Sequence, residues 1–129
     1  MPLPVVDQLA IQQLYARYNH SIDSGQAEEW AACFTPEGAF SASSAGTFTG
    51  TEALAGFARG FAAQLKARHW TNNLLLDGDG RTATGRCYLM LMRLQPGNPA
   101  TVLATGLYED QLTKTAGGWR FASRSLRND

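Results

Sequence analysis

Few side chains in this sequence can carry a proton near neutral pH, because it contains only two histidines, His20 and His69, and two cysteines, Cys33 and Cys87. An imidazole can act as a base, a carboxylate beside it can fix its tautomer, and a phenol can bind a developing negative charge. Asp23 comes near the end of the first apolar-periodic segment, where a carboxylate opposes the helix dipole and therefore asks for a partner or a role. Tyr18 precedes it by five residues, about 140° around an ideal helix, and reads either as a core aromatic or as a hydroxyl at a pocket rim. His20 reads as a surface or rim residue, and His69, taken alone, as a satisfied strand histidine. The two cysteines lie among apolar neighbours and read as small buried hydrophobes in a reducing, cytoplasmic setting. No second thiol or histidine stands at a zinc-ligand spacing. Asp77-Gly78-Asp79-Gly80 lacks the further oxygens of a calcium loop and reads as a hairpin turn.

The elements that must position these groups follow from the hydrophobic periodicity. Val6, Leu9, Ala10, Leu14, Tyr18 and Ile22 step by three and four and predict a helix from Val5 to about Ser24. A second helix is expected over Gln26 to Phe34, stopped by Pro36, with short strands at Ala39–Ser41 and Thr47–Gly50. Thr51 to Lys66 reads as a third helix through Leu54, Phe57, Phe61 and Leu65. From Arg68 the period falls to two, and turn signals at 77–80, 95–99 and 116–118 divide the rest into four antiparallel strands. The fold class is therefore α+β, with helices on one face of a curved, mainly antiparallel sheet. Leu89, Met90, Leu91 and Met92 are apolar on both parities, so their strand needs cover on both faces, one by helices and the other by a cavity or a second subunit; a homodimer is expected. The chain has 129 residues, the length of one domain, and its eleven basic and eleven acidic residues cancel, which argues against nucleic acid or an anionic membrane as partner. No apolar run reaches a membrane span and no secretory leader pattern opens the sequence.

Several stretches together resemble the SnoaL-like branch of the nuclear transport factor 2-like superfamily. They are Tyr15 to Asp23, Trp30 with Phe34-Thr35-Pro36-Glu37, Arg68 to Asn73, Gly106 to Asp110 and Gly118 to Phe121. The resemblance covers nearly all of the chain and implies a cone-shaped fold, three helices wrapping a strongly bent sheet. It also implies a pocket for a small apolar, cyclic substrate. Dehydratases and dehydrochlorinases of the family use an aspartate ending the first helix and a histidine on the strand after the third, positions held here by Asp23 and His69. Bile-acid dehydratase adds a tyrosine matched by Tyr18. Phe40, Phe57, Phe61, Trp70 and Leu89 read as core or pocket lining, and with Asn73, Cys87 and Tyr108 they are expected, by strand parity and spacing, to line the pocket; the resemblance implies no metal and no organic cofactor. Two departures narrow the chemistry: Cys87 stands where scytalone dehydratase has a second histidine, and no acid lies between Arg86 and Leu94 to serve a ketosteroid isomerase-type site. The expectation is a dehydratase-like lyase or an isomerase working by His-Asp general base catalysis. A polyketide cyclase-like enzyme and a non-catalytic binding module, such as a dioxygenase small-subunit-like protein, are the alternatives.

Overall fold

In the computed structural model, which describes residues 2–129, helix α1 runs over Val5–Asp23 behind Pro4, whose φ of −60° leads into it. Its buried stripe is Asp7, Ile11, Leu14, Tyr15, Tyr18, Ser21 and Ile22. Val6 and Leu9, expected on that stripe, stand 70% and 61% exposed, and Asp7 is buried in their place. The Trp119 indole N–H donates to Asp7 Oδ1 at 2.9 Å and Lys114 Nζ reaches the same oxygen at 3.1 Å, which makes a buried carboxylate tolerable.

Helix α2 is only Ala27–Ala31, shorter than expected, because the chain turns at Ala32-Cys33 and enters strand β1, Phe34–Ala42. Pro36 fits inside β1 because the pairing with the last strand slips between Phe34 and Ala39, where no ladder donor is demanded. Strand β2 (Gly46–Thr49) folds back on β1, and α3 (Thr51–Gln64) crosses over. Then come β3 (Ala67–Gly78), β4 (Thr82–Arg93), β5 (Thr101–Thr115) and β6 (Gly118–Asn128). The sheet order is β2-β1-β6-β5-β4-β3, antiparallel throughout except for the parallel β1–β6 pair. Three helices thus pack on an open six-stranded mixed sheet whose outermost strand on one side is β3. Among the described residues no helix is long and apolar enough to cross a membrane.

Trp30, fully buried, is the hub of the core and meets Tyr18, Phe34, Phe40 and Phe57 at ring separations of 5.1–5.8 Å. On β4 the alternation is strict: Ala83, Gly85, Cys87 and Leu89 face inward and Tyr88 and Met90 outward. The outward face is apolar where Trp70 stands opposite Met90, and with Tyr88 and Val102 these side chains are 37–57% exposed. Strand β3 changes phase midway. Ala67, His69 and Thr71 turn toward the helices, then a bulge between Asn72 and Leu75, with Asn73 at φ 56°, hands that face to Leu74 and Leu76.

Candidate active site

Asp23 is the last residue of α1, and β3 passes alongside it. Both of its carboxylate oxygens accept the backbone N–H of His69, at 3.0 and 3.2 Å, and Oδ1 also accepts His69 Nδ1–H at 2.6 Å. Because β3 ends the sheet, that N–H points to the open edge and would otherwise lack a partner. Donors from the strand therefore offset the unfavourable dipole at the helix end. The ring is mostly enclosed, 8% exposed, and Phe61 backs it at 5.5 Å. With the proton on Nδ1 committed to Asp23, Nε2 carries the free lone pair.

One helical turn earlier, Asn19 repeats the arrangement. Its Nδ2 donates to Thr71 Oγ1 at 3.1 Å, while its Oδ1 is shut from solvent with no partner. Four residues of α1 rise about 6 Å and two of β3 about 7 Å, so the two polar rungs, Asp23–His69 and Asn19–Thr71, bridge helix and strand side by side. They border a cleft of about 670 Å³ lined by Gln12, Tyr15, Asn19, His20 and Asp23 from α1 and by residues 68–72 from β3, with Leu74 and Cys87 beyond. Behind this lining lies a buried charge cluster. Tyr15 donates its hydroxyl to Asp110 Oδ2 at 2.5 Å, and Arg124, whose side chain is fully enclosed, donates Nε–H to Asp110 Oδ1 at 3.0 Å. The guanidinium lies 3.5 Å from the Tyr108 ring centre and 4.3 Å from that of Tyr18. Burial raises the Asp110 carboxyl, opposed by Arg124 and the Tyr15 hydroxyl, and burial likewise raises Tyr15, so Tyr15 stays a phenol. Burial pushes the Cys87 thiol up to about 11, which leaves it protonated and unreactive. Gly85, opposite Asp110 on β4, makes the room: a Cβ there would overlap the Tyr15 hydroxyl.

A family model, the SnoaL-like domain, matches residues 4–125 of the chain. The chain belongs to the SnoaL-like family. Among solved structures, an aspartate-to-asparagine variant of Rv3472, a protein of unknown function from Mycobacterium tuberculosis, matches this SnoaL-like chain at 39% identity and TM-score 0.90, covering 96% of this chain and 72% of that one. A provisionally assigned scytalone dehydratase from Novosphingobium aromaticivorans is similar at 25% identity and TM-score 0.84, covering 97% and 85%. A provisionally assigned aromatic ring hydroxylase from the same organism is similar at 25% identity and TM-score 0.85, covering 97% and 90%. Neighbours with the cystatin-like fold agree with the α+β cone expected from the SnoaL-like resemblance. No curated protein sequence matches the chain.

The SnoaL-like fold brings Asp23, His69, Cys87 and, at the rim, the exposed Trp70 to one cleft, together with His20. It does not bring Tyr18 there. Tyr18 is 2% exposed and stacked among Trp30, Phe34, Tyr108 and Phe121, because five residues rotate it away from Asp23. Phe40, Phe57 and Leu89 are core residues rather than cleft lining, and Tyr108 is sealed against Arg124. Phe61 touches the site only from behind the imidazole. Asn73, expected in the pocket by parity, is exposed because the β3 bulge turns it out. Tyr15, Asn19 and Thr71 take the places of these residues. A polar Asn one turn before Asp23 on the same helix face was the available signal for Asn19. Among the described residues no three His, Cys, Asp or Glu side chains gather to hold a metal ion.

Proposed function

We propose that this chain is a lyase or isomerase that needs no cofactor and acts on a small, largely apolar cyclic substrate, with His69 as the base. The observation that carries this reading is the 2.6 Å contact from His69 Nδ1 to Asp23, with the carboxylate pinned a second time by the His69 backbone N–H. Nε2 takes a proton from a carbon next to an electron-withdrawing group, and Asp23 stabilises the imidazolium that results. The carbanion then expels a leaving group from the adjacent carbon, giving a lyase, or takes the proton back at another carbon, giving an isomerase. Similarity to the provisionally assigned scytalone dehydratase supports this direction.

A binding or partner module is the second reading. It is favoured by the apolar outward patch of Trp70, Tyr88, Met90 and Val102.

The test uses β-tetralone, an enolisable bicyclic ketone, in deuterium oxide, with loss of its α-proton signal followed by NMR. Wild type is expected to speed the exchange, His69→Ala to abolish the acceleration, and Asp23→Asn to reduce it by about 10²–10⁴-fold. Exchange that is unaffected by both substitutions refutes the base assignment and leaves the binding-module reading.

A further inference from the structure

We propose that Asn19 is a specificity-determining residue whose side-chain oxygen accepts a hydrogen bond from an O–H or N–H group of the substrate. This rests on the reading of the cleft as the place where His69 works. Asn19 borders that cleft, yet its Oδ1 has no donor although water is excluded from it. An acceptor left in that state is disfavoured unless something else completes it, and few native side chains are so placed without a reason. The other end of the amide is already anchored, since Nδ2 donates to Thr71 Oγ1 at 3.1 Å. The last torsion of an asparagine is soft, so the oxygen turns toward an incoming donor at small cost while the rung stays near Thr71.

The position of the rung adds a constraint on the substrate. Asn19 lies four residues before Asp23, a rise of about 6 Å on the same face of α1. A molecule that meets both rungs therefore carries its donor about 6 Å from the carbon that loses its proton, across a ring or on a fused neighbour. The substrate class is a cyclic compound with a remote hydroxyl or ring N–H, rather than a plain hydrocarbon or one bearing acceptors only. Thr71 holds Asn19 in register for it, as a positioning residue. No other side chain on the cleft shares this condition: the Tyr15 hydroxyl is committed to Asp110, and both Asp23 oxygens are occupied by His69.

The experiment titrates the protein with three naphthalene probes, β-naphthol, β-methoxynaphthalene and β-acetonaphthone, and reads dissociation constants from amide chemical shifts. Wild type is expected to bind the donor, β-naphthol, about fivefold or more tightly than the other two, the ratio for a hydrogen bond of about 1 kcal/mol. Asn19→Leu removes the acceptor and is expected to bring the ratio to about one, whereas Asn19→Asp, which accepts and cannot donate, keeps it. If Asn19→Leu does not fold, Asn19→Ala, which also lacks the acceptor, carries the test: a ratio of about one is expected, and a retained naphthol preference overturns the proposal. Equal affinities, preference for the acceptor-only ketone, or no binding of any probe overturns the proposal. The naphthol preference is expected to persist in His69→Ala. Absence of β-tetralone exchange by wild type, with that preference retained, strikes down the base assignment and leaves Asn19 standing; exchange that depends on His69, with equal affinities for the three probes, does the opposite.

Discussion

Gly85→Ala tests whether the tyrosine–aspartate–arginine cluster behind the cleft is as tightly fitted as its geometry indicates. A glycine inside a strand normally costs stability, and alanine would gain about 0.4–1 kcal/mol by restricting the unfolded chain. Here the new methyl would occupy the space of the Tyr15 hydroxyl, with Tyr15 Cζ and Leu76 Cδ2 each at 3.3 Å. The ring is boxed by Phe121 at 5.1 Å, so the hydroxyl must move by about an ångström and lose Asp110. A hydrogen bond to a charged group contributes about 1.5–3 kcal/mol, so the net loss is expected to be about 1–2 kcal/mol. In a Tyr15→Phe background that bond is already absent and the oxygen that clashes is gone. Gly85→Ala is there expected to be neutral or stabilising by up to about 1 kcal/mol. Urea unfolding followed by tryptophan fluorescence, run as a double-mutant cycle, measures the difference directly. Equal costs of Gly85→Ala in the two backgrounds would refute the idea that Gly85 exists to seat the Tyr15 hydroxyl.

Further expectations can be checked with purified protein. Asp7 is held below the usual carboxylate range by the Trp119 indole N–H and by Lys114. The stability it adds is complete above its unfolded value of about 4 and is withdrawn as pH falls through the lower folded value; acid titration of Asp7→Asn should lack that part of the unfolding, and an unchanged acid limb would count against it. Burial pushes both thiols, Cys33 and Cys87, up to about 11, so an aromatic disulfide reagent at mildly alkaline pH should find neither in the folded protein and both in urea. A fast native-state reaction would contradict their placement. The outward apolar patch is expected to pair two copies of the chain, with sedimentation reporting twice the chain mass for wild type and the chain mass for Tyr88→Arg combined with Met90→Arg. A wild-type monomer at every concentration would remove the patch from consideration as a self-association surface.

What the sequence discloses and what it hides separate along physical lines. The third helix and the last four strands are legible because their periods are regular and their turns carry Gly, Pro and Asp at 77–80 and 95–99. Helix α1 is legible as a helix, yet its phase is not. Asp7 occupies a core position only because Trp119 and Lys114, more than a hundred residues later, supply its donors. The pairing of Asp23 with His69, 46 residues apart, came from family resemblance, since no local spacing encodes it. Tyr18 and Asn19 differ by one position, and one residue of helix rotation decides which meets the cleft. Asn73 was misplaced because alternation fails at a bulge, and Asn72 and Asn73 tolerate positive φ equally, so the sequence does not say which of them turns. Gly85 was readable: an isolated glycine in a strand signals a close neighbour, though not which one.

The carboxylate of Asp23 has an effect on the molecule's company as well as on its chemistry. The edge of β3 is a row of backbone groups to which another chain could add a strand, and α1 covers it with Asp23 sitting on the His69 amide. Substituting Asp23 to silence the site therefore also uncaps that amide at the margin of the sheet. A preparation of such a protein would be prone to edge-to-edge association, and in a cell a loss of the proposed activity would be inseparable from loss of soluble material. One side chain thus ties the proposed reaction to solubility, and any lineage or design that abandons this carboxylate must find another way to close the sheet.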